Sequence, residues 1–499
     1  MSTFYSAAED ARLTLANLTD AVTDLAVPTV RLGVTGLARA GKTVFITALV
    51  HNLVHGGRLP VFQAASGGRL TSARLQPQPD DAVPRFDYED HVAALVNDRI
   101  WPESTRQVSE LRLTIDYESA HFFNRRFGRG RLHLDLIDYP GEWLLDLPLL
   151  TKSYAAFSAS ALKRARAANR SSLSAEFLGL LAETKPDAPE SEQDAQRLAA
   201  AFKAYLANCR SDAHALSMLP PGRFLMPGDL DGSPALTFSP LEFPVDAAAP
   251  RAGTLRAMME RRFEAYKAHV VRPFFRNHFA RLDRQIVLVD VQHAINAGPA
   301  ALSDLEDALG EVLTAFRPGR HSWLSSILTR RIDRILFAAT KADHLHRDDH
   351  DRLQAILRRL VNRGIDHARF KGAKVEVLAM AAVRATREAT LRHGGQELPA
   401  ILGTPMPDER LNGDRYDGTA EIAMFPGDLP DDPAALFDRP ANTATTPAGA
   451  AGPGHADPAL QFLRFRPPEL DRTAEGKTLS LPHIRLDRAL EFLIGDRLA

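Results

Sequence analysis

Residues 36–43 read GLARAGKT, set between an apolar run TVRLGVT (29–35) and the stretch VFITALVHNLV (44–54). The octapeptide fits the phosphate-binding pattern GxxxxGK[ST], and its flanks supply the strand before and the helix after that give the pattern meaning. Each residue type has a separate task. Gly36 and Gly41 let the backbone turn so that loop amides, those of Ala38, Arg39, Ala40 and Val44 among them, aim at phosphate oxygens. Lys42 neutralises β/γ charge, and the Thr43 hydroxyl ligates Mg²⁺. Phe45, Ala48, Leu49 and Leu53 share one face of the following helix, which packs it on a sheet with its positive end toward the phosphates. The bland alternative, a glycine turn before a surface helix, is weakened by two motifs further along the chain.

Downstream, RLHLDLIDYPGEW (131–143) is an alternating strand that runs into Asp138-Tyr139-Pro140-Gly141. This is the DxxG pattern, in which Asp138 holds Mg²⁺ through a water and the Gly141 N–H meets the γ-phosphate. RILFAATKAD (334–343) is a short apolar strand ending in Thr340-Lys341-Ala342-Asp343, similar to the [NT]KxD base-recognition motif. One carboxylate, Asp343, can accept two hydrogen bonds from guanine N1–H and N2–H₂, a pair that adenine does not offer. The aliphatic stem of Lys341 covers one face of the base. A last strand, AKVEVLAMAAV (373–383), ends in Ala381-Ala382-Val383, where a main-chain N–H of Ala382 or Val383 would reach the guanine oxygen. WPESTR (101–106) precedes the strand SELRLTIDY (109–117) and supplies Thr105, with Ser104 beside it, as the hydroxyl that closes on Mg²⁺ when the γ-phosphate is present. A turn hydroxyl before a strand is the ordinary alternative for both.

Two positions bear on hydrolysis. Glu142 directly follows DxxG, where it could take a proton from the attacking water or repel the γ-phosphate; the sequence leaves both open. Arg39, three residues before Lys42, is either a cis arginine that stabilises transition-state charge or a solvent-facing, salt-bridged side chain at the loop tip.

These motifs, together with PRFDYEDH (84–91), VRAT (383–386) and the tail LPHIRLDRALEFLIGD (481–496), resemble the YcjX-like family of bacterial P-loop GTPases, associated in some bacteria with the phage-shock envelope-stress response. The likeness runs from about the first strand to the C-terminus. It implies GTP binding and hydrolysis to GDP, a G domain with a helical insertion, and a cytoplasmic protein encoded alongside a membrane protein, so that peripheral docking at the inner membrane and a protein partner, a membrane protein among the candidates, come with it.

Composition bounds the rest. The 499 residues are enough for a large core and two or three domains. Lys and Arg (61) almost cancel Asp and Glu (62), a net charge of −1, so no basic footprint argues for nucleic acid. The single cysteine, Cys209, cannot form an internal disulfide and suits a reducing compartment. MSTFYSAAEDARLTLANL, the first stretch, lacks a basic region followed by an apolar core, so no secretory signal is expected. No apolar run approaches the roughly 18–20 residues of a membrane span. The histidines show no metal-ligand spacing.

Gly141 and Thr340 are separated by far more than the roughly 30 residues of a simple βαβ step. RQIVLVDVQHAINAG (284–298) returns the chain to the sheet, which leaves an insertion rich in Ala, Leu and Arg, with helical periodicity in 153–170, 194–210 and 253–275 and a Pro/Gly-rich loop, SMLPPGRFLMPGDLDGSP, between. The insertion grows directly from 139–143, expected to be a mobile switch segment, so it is either an output element that moves with the nucleotide state or a static packing domain. The predicted fold is α/β: a P-loop NTPase G domain, a mostly parallel sheet flanked by helices, with a large helical insertion and a small C-terminal extension. Its expected parts are an N-terminal helix (1–28), G domain (29–150), helical insertion (151–282), G domain again (283–396) and C-terminal extension (397–499), with disorder at 441–456 and a terminal helix. Residues 62–98 read as a long polar loop, a lid over the phosphates. A second insertion, PGRHSWLSSILTRRIDR (318–334), carries an apolar stripe that either packs on its own domain or meets a partner.

Overall fold

The computed structural model describes residues 27–37, 39–103, 107–120, 130–211, 214–315, 332–370, 372–393, 395–411, 414–437, 462–470 and 480–499. Residues 1–26 of the expected N-terminal helix, Ala38, Ser104, Thr105, the stripe at 323–328 and the segment 441–456 lie outside them.

Seven strands form one sheet in the order β2-β3-β4-β1-β5-β6-β7. They are β1 (Thr29–Gly36), β2 (Leu70–Gln76), β3 (Ser109–Tyr117), β4 (Gly130–Asp138), β5 (Arg284–Val289), β6 (Arg334–Ala339) and β7 (Lys374–Ala379). The central strands are apolar runs buried on both faces, as in β5, where all six residues are buried, and such strands suit a parallel sheet covered on both sides. Strands β4, β1, β5, β6 and β7 run parallel to one another, while β3 pairs antiparallel with β4, and β2 with β3, at one edge. Since all five parallel strands run the same way, the loops leaving β1, β4, β6 and β7 gather at one end. That end is where ligands bind in open α/β sheets.

Residues 62–98, expected to be a loop, instead contain β2, a short turn of helix (Gln63–Ser66) and a helix at Tyr88–Ala93. LTSARLQ escapes detection because it is an edge strand, paired on one side only and half-exposed along its length, so burial imposes little apolar alternation on it.

Two apolar clusters flank the sheet. On one face, Leu32 and Val34 of β1 pack with α1 (Lys42–Val54) and with the terminal helix (Leu486–Ile494), which buries Leu486, Ala489, Leu490, Leu493 and Ile494. On the other face, Val287, Phe337 and Val377 belong to a single cluster that continues without a break into the insertion, through Trp143, Phe157, Phe202 and Phe263. The insertion is therefore a lobe that shares the core of the sheet. Its main helices are α2 (Tyr154–Ala165), α3 (Ala175–Ala182), α4 (Glu192–Arg210) and α5 (Leu255–Tyr266), with Ser153, Ser191 and Thr254 capping α2, α4 and α5 through their side-chain oxygens. Beyond β7 the chain builds a small antiparallel sheet, β12-β9-β8, from β8 (Arg387–His393), β9 (Gln396–Gly403) and β12 (Ile422–Met424), beside a two-residue ribbon β10-β11 (Arg410–Leu411, Asp414–Arg415). The boundary expected at 396/397 falls inside the β8–β9 hairpin, so the small sheet begins ahead of it.

At the start of β3, Glu110 is 5 % exposed. Burial, and then the neighbouring Asp135, push its carboxyl up to about 7 from the ordinary 4.5. The folded chain thus keeps a proton that the unfolded chain has released, and this contribution to stability, present below about pH 4.5, is lost as pH rises to about 7. Denaturant titrations at the two ends of that window should show the wild type losing stability relative to Glu110→Gln, by about 1.4 kcal/mol per pH unit of separation; equal slopes would contradict the assignment.

Candidate functional site: a cleft between the phosphate loop and the C-terminal segment

The loop after β1 turns on two backbone features. Gly41 has φ +78° and precedes α1 as its N-cap, a left-handed conformation that glycine adopts readily, and Arg39 is also left-handed at φ 62°. The first amides of α1, with no partner inside the helix, face outward from its positive end. Lys42 is buried and donates from Nζ to the Gly36 carbonyl at 3.1 Å, which holds its ammonium back across the loop. The Thr43 hydroxyl donates to the Glu103 carbonyl at 3.2 Å, so the segment that leads to Thr105 already lies against the head of α1.

Asp138 ends β4, 1 % exposed, in register with Val34 of β1. Gly141 approaches Gly36 so closely that a Cβ on Gly141 would sit 2.1 Å from the Gly36 carbonyl oxygen. The DxxG turn and the phosphate loop are thus packed backbone on backbone. After it, the 3₁₀ helix Gly141–Thr151 is buried over ten of its eleven residues. The stretch around Trp143, the expected switch segment from which the insertion grows, is enclosed by the insertion's helices. Asp146 accepts from the Gly222 and Arg223 amides and from Tyr266 Oη at 2.7, 3.2 and 2.7 Å. Trp143 lies under the Arg223 guanidinium, 3.1 Å from the ring centroid, and its indole N–H donates to the Met226 carbonyl.

At the other end of the cleft, Lys341 is left-handed at φ 59° and pairs through Nζ with Asp290. Burial disfavours the Asp290 carboxylate, but Lys341 outweighs it and leaves the group below its usual range. Asp343 is 3 % exposed and accepts from the Ala385 amide at 2.7 Å through one oxygen, which leaves further acceptor capacity on the carboxylate. Ala381 exchanges two backbone hydrogen bonds with Ile484, so the terminal segment props the loop that carries Ala382 and Val383.

These parts enclose one cavity of about 310 Å³. Of the residues singled out in the sequence, Arg39, Ala40, Gly41, Lys42, Thr43 and Val44 line one end, and Lys341, Asp343, Ala382 and Val383 the other. Gly36, Asp138, Gly141 and Glu142 are not in its lining: the first three lie beneath the loop, and Glu142 turns away, paired with Arg210 of α4 at 2.8 Å. Arg39 is exposed at the loop tip, within electrostatic reach of Arg210, Arg464 and Asp290.

The lining also holds residues that the motifs do not single out. Trp101 and Pro102 come from the segment before Thr105, and Met406, Arg464 and Phe465 from the C-terminal extension. Trp101 Nε1 donates to the Phe465 carbonyl at 2.6 Å, and Phe465 pairs across to Pro405. The alternating run LQFLRFR (460–466) is the available signal, but it comes after a low-complexity stretch and nothing local says which wall it joins.

A parallel sheet whose first strand feeds a glycine loop and helix, with a cleft across its C-terminal edge, defines a P-loop NTPase. Within that class the chain belongs to the YcjX-like family, DUF463, whose model matches residues 30–498. It is 37% identical over 482 residues to the Ras-like GTPase YcjX of Escherichia coli (strain K12), covering 94% of this chain and 96% of that one. It is 34% identical over 490 residues to the Ras-like GTPase YcjX of Shewanella oneidensis, covering 94% of each.

Phe465 is 1 % exposed, and a Cβ on Gly403 would touch its ring at 2.8 Å. Phe465→Ala should therefore loosen the small sheet at a cost of about 3–5 kcal/mol. Hydrogen exchange would rise in β8, β9 and the Trp101 indole while β1 to β7 keep their protection; uniform loss across both sheets would show that the extension is not a separate cooperative unit.

Proposed function

We propose that the chain binds GTP with Mg²⁺ and hydrolyses it slowly, as a nucleotide-dependent switch. The observation that carries this reading is the single cavity with Lys42 and Thr43 at one end and Lys341 and Asp343 at the other, a phosphate-binding end and a base-binding end. Loop amides and Lys42 hold the phosphates, Gly141 meets the γ-phosphate from beneath, Asp343 receives guanine N1–H and N2–H₂, the Lys341 stem covers the base, and the Ala382 or Val383 amide meets the guanine oxygen.

Thr43, Thr105 and Asp138 are the proposed metal ligands, Asp138 through a water. They are hard oxygen donors of the kind Mg²⁺ takes, and Thr43 directs its proton to Glu103, which leaves its lone pairs for an ion. A Mg²⁺ held by these oxygens would supply positive charge against the phosphates. We place the switch in the cytoplasm, in bacterial envelope stress and with a protein partner, on the family resemblance alone. Among the described residues no helix is long and apolar enough to cross a membrane.

A second reading, a nucleotide-gated binding protein with negligible turnover, draws on the Glu142–Arg210 pair, which occupies the carboxylate that could otherwise accept a proton from water.

Calorimetric titration with GDP, GTPγS, ADP and ATPγS in Mg²⁺, beside phosphate release from GTP, separates these readings. Guanine nucleotides should bind preferentially. Asp343→Asn should weaken them on the order of 100-fold, about 2.7 kcal/mol, and Lys42→Ala should abolish turnover. Tight guanine binding with no phosphate release would favour the second reading; equal affinity for adenine and guanine would contradict both.

A further inference from the structure

The residue after Gly141 is an acid. Glu142 is 5 % exposed, and it stands next in sequence to the amide that meets the γ-phosphate under the proposed function. Its carboxylate lies outside the cavity lining, but a charge buried one residue from that amide acts on a third phosphate across little solvent and repels it more than it would through water. A diphosphate, which ends short of Gly141, is much less affected. The chain would then hold the product and reject the substrate unless the charge is offset.

The offset is present, and it comes from the inserted lobe. Arg210, the last residue of α4, places Nη2 2.8 Å from Glu142 Oε1. Its other arm donates to Met226 Sδ at 3.4 Å, and the Met226 carbonyl accepts from Trp143 Nε1 at 3.0 Å, so the guanidinium is held at both ends within a ring of contacts that returns to the turn after DxxG. The backbone of Glu142 is pinned against the lobe as well. Its carbonyl lies so near Gly222 of the lobe that a Cβ there would come within 1.9 Å, and Asp146 fastens the Gly222 and Arg223 amides just beyond.

We propose that Arg210 is a specificity-determining residue: by neutralising Glu142 from the helical lobe, it allows the site to accept a nucleoside triphosphate as well as a diphosphate. It acts through Glu142 and not by touching the nucleotide, so γ-phosphate affinity depends on the lobe being docked. The inference rests on the nucleotide reading of the site.

The test is the ratio of GTPγS affinity to GDP affinity, measured by calorimetry with Mg²⁺ in the full chain. It compares wild type, Arg210→Met, Arg210→Lys, Glu142→Gln and the double variant Arg210→Met/Glu142→Gln, each first checked for a cooperative melt. Arg210→Met should move the ratio toward GDP by about 10–100-fold, the range expected of an uncompensated nearby charge. Glu142→Gln should move it toward GTPγS, Arg210→Lys should stay near wild type, and the double variant should return to within about threefold of it, because the local charge is again balanced. Should Arg210→Met fail to fold, Glu142→Gln and the double variant carry the same sign test. A ratio unmoved by these changes, or moved the same way by Arg210→Met and Glu142→Gln, overturns the inference while leaving the nucleotide reading intact. Wild type that takes up neither nucleotide overturns the nucleotide reading and this inference with it.

Discussion

The Gly36 carbonyl and the Gly141 Cα meet with no space for a side chain on Gly141, and the arrangement of the cleft depends on that contact. It sets the height of the DxxG turn beneath the phosphate loop, and the parallel register of β1 with β4 sets its position along the sheet. Gly36 is confined on its other side by the Leu288 carbonyl of β5, 2.7 Å from where its Cβ would be. Three neighbouring strands thus position the loop through close main-chain contacts. The same device recurs at Gly222, where the lobe is brought against the backbone of Glu142.

This packing gives the inserted lobe its mechanical character. A lobe joined by a flexible linker would have a core of its own; here the apolar cluster runs from Phe337 and Val377 of the sheet through Tyr139 and Trp143 to Phe263 in one piece. Tyr139 is fully buried, with its hydroxyl on Gln285 of β5 and its ring edge-on to Phe274. Displacement of the DxxG turn would expose these rings to water at about 25 cal/mol per Å² of apolar surface. Turn and lobe are therefore one packed unit, and Arg210 belongs to it.

Much of this was legible in the sequence, and the rest was hidden for identifiable reasons. The strands β1, β3, β4, β5, β6 and β7 announce themselves because buried parallel or alternating strands must be apolar in a regular way. The residues lining both ends of the cleft stand out in the sequence because GxxxxGK[ST] and [NT]KxD put particular residue types at fixed spacing. The features that escaped were either lightly constrained or remote. Edge strand β2 is half-exposed and polar. Met406, Arg464 and Phe465 reach the cleft from a part of the chain whose position is decided by pairing with Pro405 and Trp101, contacts that span tens to hundreds of residues. The Glu142–Arg210 pair belongs to the same category: Glu142 stands out beside DxxG, but its partner is one arginine among many in the insertion.

The decisive measurement is a crystal structure of the full chain grown with GDP and Mg²⁺. Density is expected for the diphosphate over the amides of residues 41–44, with the guanine between the Lys341 stem and the loop of Ala382 and its N1 and N2 on the Asp343 carboxylate. Nucleotide density elsewhere, or a base turned away from Asp343 with the phosphates off the loop, would overturn the assignment of the cleft.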